Sequence, residues 1–458
     1  MSGEESPLRT RWLLPAAAFC LVLVAQLWLV AAAGTDIPFH DQWDVEGRRL
    51  YPALRDGTAS VADLFRPHNE HRIVWTHLLN RTLFSLNGQW DPLVQLAAGA
   101  FLHAAAVALL VLMLSRGMGR GLGGLIGLGA VLFSLPVAGW HNALWGFQSQ
   151  VYFAVLFSLA AFALLSAPVV STGRAVAGWL AVVAAMLAMG PGLLVPVALA
   201  GGLVLRWLEG RARWREAWPV GLLALAAWLL HQRVPEHAAL QAGSAAQFFS
   251  ALARLLAWPH SDQPWAALIL NIPLAVVLGG RLLKRRAAAA GEDFVVGLAG
   301  WVLVVALAAA WSRGGGAEFA AGVPSRYVEF IVLLPLANAW CAVMLVRAAA
   351  PSVRLVAAAW GLFLLVGWLG LSAEMMRGVI LPRARDREAP VRLMQEFQRT
   401  GDAAIFAGQP RLLVPHPNLD SVRSVLQDPR LRGALPPSLQ PERPLGPLSR
   451  GVRWVLGR

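Results

Sequence analysis

The stretch Trp12–Asp44 reads WLLPAAAFCLVLVAQLWLVAAAGTDIPFHDQWD. From Trp12 to Ala33 it holds no charged side chain, and a run of that length meets the ~20 apolar residues a helix needs to cross the hydrocarbon core. Arg9 and Arg11 precede it. The run is long for a signal-peptide core, and no small-x-small cleavage site leads into a soluble domain. It reads as an uncleaved first span with a cytoplasmic N-terminus. The text then turns acidic almost at once, with Asp36, Asp41 and Asp44 just past the span end.

The same alternation continues along the 458 residues, 57% of which are hydrophobic and 14% charged, against about 25% charged in soluble domains. Further apolar runs cover Pro92–Leu114, Leu122–Val137, Val151–Ala167, Ala175–Met189, Gly192–Leu205, Pro219–Leu230, Trp265–Gly280, Phe294–Trp311, Tyr327–Val346 and Leu355–Leu371. Every second loop is short and basic: Ser115–Gly121, Ser171–Arg174, Arg206–Trp218 with Arg211, Arg213 and Arg215, Arg281–Asp293 with Lys284, Arg285 and Arg286, and Arg347–Arg354. Positive charge on the cytoplasmic side sets orientation. The expected fold is therefore all-α, with about eleven spans, the N-terminus inside and the C-terminus outside. The bundle is 1–371, including the outer loop 34–91, and 372–458 is a small outer region. There Val391–Thr400 reads as a helix, and Ala404–Ala407 and Leu412–Val414 as short strands, giving the tail an α/β character. The break at Met189-Gly190-Pro191-Gly192 fits either two spans or one broken helix.

The net charge of +13 follows from arginines at span ends and in the tail. No basic stripe interleaved with aromatics marks a nucleic-acid surface. Cys20 and Cys341 lie in apolar runs and are too far apart in sequence for a metal-spaced pair.

Polar chemistry gathers in the outer loops. Asp41 and Asp44 could deprotonate an acceptor hydroxyl or hold a divalent cation; the plain alternative is a solvated acidic loop. Arg66–Arg72 reads RPHNEHR and precedes a helical pattern, Ile73–Leu86, too polar to span, which fits an interfacial helix. Its apolar face would hold Trp75, Leu78, Leu79, Leu83 and Leu86. His68, Asn69, Glu70 and His71 would sit at its N-terminal end, where free N–H groups and Arg72 favour an anion. His68 and His71 read more readily as capping residues than as metal ligands. In Trp140–Gln150, WHNALWGFQSQ, Trp145 and Gln148 are an aromatic face and an amide suited to a sugar. Arg326, in PSRYVEF, can clamp a phosphate, with Tyr327 beside it and Arg313 as a second candidate. The alternatives for Arg326 are snorkelling or a pair with Glu329. The glycines Gly314–Gly316 lack the following Lys-Ser/Thr of a phosphate loop.

At these residues the chain resembles GT-C-type glycosyltransferases, multi-span enzymes with an acidic first outer loop and interfacial helices. HNEHR, LWGFQ and SRY also resemble a set of bacterial membrane proteins. The family's loop-one motif is often Asp-Glu; here it is Asp41-Gln42, with Asp44 following. The resemblance implies an inverting hexosyl or pentosyl transfer in the bacterial inner membrane, from an undecaprenyl-phosphate sugar to a periplasmic glycan, lipid or protein. It makes Asp41 or Asp44 the base and puts Arg326, Arg72 and Arg313 at the donor phosphate. Asp36, His68, Asn69, Glu70, His71, Trp145, Gln148 and Tyr327 would lie around sugar and acceptor. A divalent cation, if one is used, would sit at Asp41 and Asp44. A transporter or flippase of lipid-linked sugar would instead need polar residues at mid-bilayer depth. A non-catalytic envelope-assembly protein would tolerate changes at the Asp and Arg positions.

Overall fold

The computed structural model describes residues 7–458 other than 168–169, 213–215, 284–286 and 348, with side chains from residue 12 onward. The basic-loop residues Arg213, Arg215, Lys284, Arg285 and Arg286, and the side chains of Arg9 and Arg11, lie outside the described residues. The protein is 74% helical. Among the described residues seven helices are long and apolar enough to cross a bilayer: Trp12–Ala33, Pro92–Leu114, Gly146–Leu165, Gly190–Leu208, Glu292–Arg313, Ser325–Val346 and Pro351–Arg385. Shorter apolar helices run over Arg120–Phe133, Thr172–Met186, Ala217–Leu230, Ala245–Leu256 and Ile272–Leu282. This is the architecture of a multi-pass membrane protein.

Each apolar run expected from the sequence is helical, although several are cut short. The run Trp265–Gly280 splits into Ala266–Leu270 and Ile272–Leu282. Pro273 cannot continue the ladder, and the break is bridged from a neighbour. Asn338 Oδ1 accepts from the Leu274 N–H at 3.0 Å, while its Nδ2 donates to Asn271 Oδ1 at 3.0 Å. Such amide bridges are a usual glue between apolar helices. Ala245–Leu256, inside an expected loop, is an additional helix.

The Met189–Gly192 break is a reversal. Helix Thr172–Met186 starts beside the end of Gly146–Leu165, where Arg174 donates to the Ala163 and Leu164 carbonyls. Helix Val195–Leu208 ends at that same face, where Leu205 and Arg206 line a cleft with Leu165 and Ser166. The reversal needs glycine: a Cβ on Gly192 would collide with the Ala185 carbonyl oxygen, a backbone atom that no rotamer change can clear. Gly192→Ala is expected to lower stability by about 1–3 kcal/mol, read as a lower apparent Tm in detergent; an unchanged Tm would refute the tight reversal.

The loops and tail meet at one end of the bundle, the loop face. There Trp43, Tyr51, Phe84 and Trp90 pack with Met394, Phe397, Phe406, Val422 and Val425 in one buried cluster, so the tail shares its core with loop 34–91. Helix Ala389–Thr400 occurs as expected, but the two tail strands do not: Ala403–Phe406 and Arg411–Leu413 are single 3₁₀ turns. Each is a few residues long and has no neighbouring strand to pair with, so backbone bonding closes locally. The tail is pinned by arginines. Arg453 reaches Asp36 at 3.0 Å and also pairs with Asp91. Arg458 donates to the carbonyls of Val30 (3.1 Å), Ala31 (2.7 Å) and Gly34 (3.0 Å), and Arg383 to that of Ala33 (3.0 Å). These carbonyls lie at the C-terminal end of the first span, where cations are favoured.

At the opposite end, buried Arg281 joins Glu209 (2.6 Å), Glu292 (3.4 Å) and Asp293 (2.9 Å), and Arg211 closes on Asp293 at 2.9 Å. The arginines counted as a topological signal are here also the ion pairs that tie helix ends together.

Candidate functional site

Loop 34–91 begins with a sharp bend. His40 adopts φ +46°, an unusual conformation for a side-chain-bearing residue, and its N–H donates to the Pro415 carbonyl at 2.7 Å. The bend leads into a π-helix, Trp43–Leu50, a form often found at functional sites. Asp41 and Asp44 thus emerge side by side, both partly open to solvent. Asp41 Oδ2 accepts from His68 Nε2 at 3.3 Å. Burial works to raise the Asp41 pKa, but the His68 hydrogen bond and the His68 and His40 charges overcome it, holding the carboxyl below its usual range. Asp44 is held low chiefly by a hydrogen bond from His416, whose Nε2 lies 3.0 Å away. Burial depresses His416, yet the hydrogen bonds to Asp44 and the Asn418 backbone, with the charges of Asp44 and Asp41, together outweigh it and its pKa is raised. Both aspartates are therefore ionised at neutral pH, each facing an imidazole.

A wall of rings runs beside them. His68 meets Phe147 at 5.0 Å, Phe147 stacks on Trp145 at 5.9 Å, Trp145 on His141 at 5.2 Å, and His40 lies 6.0 Å from Trp145. Trp145 is fixed by its indole N–H on the Phe39 carbonyl at 2.8 Å. Burial drives His141 down to about 3 and His40 to about 4, so both are neutral. Beyond His141 lies Arg326, joined to the site by Asn142, whose Nδ2 donates to the Arg326 carbonyl at 3.3 Å. Arg326 pairs with Glu318 at 2.6 Å rather than with Glu329, and Arg411 from the tail meets the same Glu318 at 3.1 Å. The Arg326 guanidinium also lies over the Tyr327 ring at 5.4 Å.

Asp41, Asp44, His68, Asn69, Trp145, Arg326 and Tyr327 thus share one neighbourhood. The other sequence candidates have different employment. Asp36 is buried under Arg453 and Ser438. Arg72 donates to the Phe65 (3.1 Å) and Leu230 (2.9 Å) carbonyls, which occupies the fork expected on a phosphate. Glu70, Arg313 and His237 form a separate cluster with 2.5 Å contacts. Gln148 is buried and accepts from Gln150 at 3.3 Å. The segment RPHNEHR forms a two-residue hairpin, with Pro67–His68 against His71–Arg72 and Asn69 at φ +49° in the turn, instead of a helix N-terminus; these are the only strands among the described residues. His71, half-buried and neutral with its pKa lowered by burial to about 4, lies against Gly190. Among the described residues no three His, Cys, Asp or Glu side chains converge as a metal-holding set.

The helix after the hairpin, Val74–Asn87, lies where the sequence pattern put it, ended by Gly88 at φ +67°. Its polar face turns into the protein: Thr76 bonds Ser149 at 2.9 Å and Asn80 bonds Glu46 at 2.8 Å. Leu78 and Leu86 are left outward, as a helix lying in a lipid interface would leave them.

Glu46, His40, His416, Glu318 and Arg411 were not singled out from the sequence. Glu46 is wholly buried beneath Asp44 and takes hydrogen bonds from Gln95 (2.8 Å), Asn80 (2.8 Å), Tyr51 (3.1 Å) and Gln42 (3.4 Å). Burial nevertheless lifts its pKa from 4.5 to about 7. Between those values the folded chain holds a proton that the unfolded chain has released, so this carboxyl makes stability fall as pH rises from 4.5 through 7. Glu46→Gln is expected to flatten that decline, because an inverted Asn80 can offer its otherwise unpartnered Oδ1 to the new amide. Apparent Tm against pH checks this; an equal slope in the variant would assign the titration elsewhere.

No family model matches the chain, and no curated protein and no solved structure matches it.

Proposed function

We propose that the chain is a glycosyltransferase of the bacterial inner membrane, with about eleven spans, the N-terminus in the cytoplasm and the loop face and tail in the periplasm. It would transfer a sugar, with inversion, from an undecaprenyl-phosphate donor to a periplasmic glycan, lipid or protein. The observation that carries this reading is the meeting, on one face, of an ionised Asp41 hydrogen-bonded to His68, a ring wall ending in Trp145 and His141, and Arg326 with Arg411. The carboxylate can take a proton from an acceptor hydroxyl, and the rings offer faces for sugar C–H groups. Arg326 and Arg411, held in reserve by Glu318, can exchange that carboxylate for a departing lipid phosphate. Asp44 and His416 would fix the tail over the acceptor side. In lipid, the purified chain is expected to move label from a panel of undecaprenyl-phosphate monosaccharides to material extracted from a deletion strain. No consumption of any donor, together with an envelope-glycan defect in that strain, would reject transfer.

One observation favours transport instead. Within the bundle, Gln26 donates to the Tyr152 hydroxyl (2.9 Å) and meets His103 Nδ1 (2.6 Å), while His103 Nε2 lies 3.2 Å from Glu329. A polar chain crossing four long apolar helices is the feature a lipid-linked-sugar transporter would need. It is fully enclosed by side chains, which supports a structural part more than a path.

A further inference from the structure

Beside the π-helix lies a cavity of about 270 Å³. Three arginines line it: Arg49, Arg66 and Arg81. Their only carboxylate neighbour in the lining is Asp63, already engaged by the Ser60 N–H (2.8 Å) and by Arg66 (3.2 Å). Arg81 donates to the Ser60 carbonyl at 2.9 Å. Arg49 is half-buried and, among the described residues, has no hydrogen-bond or ion-pair partner. Its pKa is lowered by burial and by the charge of Arg66, with Asp44 and Asp63 opposing, and the lining sets three guanidiniums against one carboxylate.

The fourth polar wall is His77, 2% exposed. Its Nδ1 lies 3.0 Å from the Leu64 carbonyl, which can only accept, so Nδ1 carries the hydrogen. Burial drives the imidazole down to about 4 and keeps it neutral. Its Nε2 is then an acceptor, buried and without a partner. A buried acceptor left unpaired costs about 1–3 kcal/mol, and this one belongs to a residue in the wall of a cavity that has room. The volume is roughly nine times a water's ~30 Å³ share of the liquid, enough for a phosphate group with a small polyol.

We infer that this pocket binds a phosphate ester carrying a free hydroxyl, the oxyanion on Arg49 and Arg66 and the hydroxyl donating to His77 Nε2. Two sources share that chemistry: a glycerophosphate lipid headgroup entering from the bilayer surface, and a soluble sugar or glycerol phosphate. The pocket is independent of the transfer reading, since it is tested by binding alone.

The experiment is calorimetric titration of the full chain in neutral phosphatidylcholine nanodiscs with glycerol 3-phosphate and with inorganic phosphate. A parallel measurement scores retention of phosphatidylglycerol over phosphatidylcholine from mixed vesicles. Glycerol 3-phosphate is expected to bind more tightly than inorganic phosphate. Arg49→Gln and Arg66→Gln should each weaken it about tenfold, as loss of a charge-assisted contact does, and His77→Phe should erase the preference for the ester. Arg66 is exposed, so its variant reports even if Arg49→Gln misfolds. Arg399→Gln, on an exposed tail arginine, should change nothing. Binding of the soluble ester identifies a soluble ligand, and selective retention of phosphatidylglycerol lost in the same variants identifies a lipid; either supports the pocket. No binding of either ester at millimolar concentration, or binding that Arg49→Gln and Arg66→Gln leave unchanged, overturns it.

Discussion

Glu329→Ala is expected to destabilise the bundle by about 1–3 kcal/mol, the usual cost of leaving a buried hydrogen-bonding group without its partner. The reason is visible in the hydrogen bookkeeping of Gln26, Tyr152, His103 and Glu329. If Gln26 Oε1 faces His103, Nδ1 must donate to it; if the amide is inverted, Nδ1 accepts and Nε2 carries the hydrogen. In both arrangements a proton lies between His103 Nε2 and Glu329 Oε2, 3.2 Å apart. Glu329 lies directly against Gly139, and without its carboxyl the buried His103 Nε2 loses the partner it has at 3.2 Å. The comparison that decides is a cycle of Glu329→Ala, His103→Ala and the double variant by apparent Tm in detergent. The double variant should cost less than the two singles together, with a coupling of about 0.5–3 kcal/mol. Strict additivity, or a Glu329→Ala protein that melts with the parent, would show that the pair contributes nothing.

Asp41→Asn should lower sugar transfer by about 10²–10⁴-fold, the range for loss of a general base, with insertion and melting unchanged. Asparagine keeps the shape and still accepts from His68, so what disappears is the capacity to take a proton. Arg326→Ala should cost about 10²–10³-fold, as loss of a positioned charge at a leaving oxyanion does. The two changes differ in their response to pH. Removing the base should abolish the acidic limb of the rate profile, while Arg326→Ala should keep that limb at a lower plateau. Asp44→Asn removes the partner that raises His416, and its main effect should be on docking of the tail. If the Asp41→Asn and Asp44→Asn proteins both transfer at the parental rate, the base lies elsewhere.

The helices were legible because they are set by run length and by arginine placement, both of which survive in a one-dimensional reading. The exceptions are local. Asn271 and Pro273 interrupt a run whose hydropathy gives no warning, and the break is tolerated only because Asn338 waits on another helix. In the tail, Ala404–Ala407 and Leu412–Val414 have strand-like composition, but a strand needs a partner, and these residues pack singly on Trp43 and its neighbours. The interfacial helix was found by its period, while the direction of its faces depends on Glu46, whose burial the sequence does not announce.

The site was legible in part. Asp41, His68, Trp145 and Arg326 stand out because polar residues at span ends are few. His416 and Arg411 come from hundreds of residues downstream and look like ordinary tail residues until the chain folds. Arg72, Arg313 and Glu70 stood out equally well and turned out to be committed to carbonyls and to one another. A charge at a span end signals that something must satisfy it, without saying whether that something is part of the chain.

The bond between Arg458 and Gly34 joins residues 424 positions apart. At ribosomal speeds of about 5–20 residues per second, the end of the first span waits roughly twenty seconds to a minute and a half before its last cation is made. Before the tail is made, Asp36 and the carbonyls of Ala31 and Ala33 lack the Ser438, Arg453, Arg387 and Arg383 partners they have in the folded chain. His416 and Arg411 arrive just ahead of that closing stitch. The loop face is thus assembled only after the tail through Arg411 and His416 has been made, so a chain released before those residues carries the bundle helices without their contacts to Glu318 and Asp44.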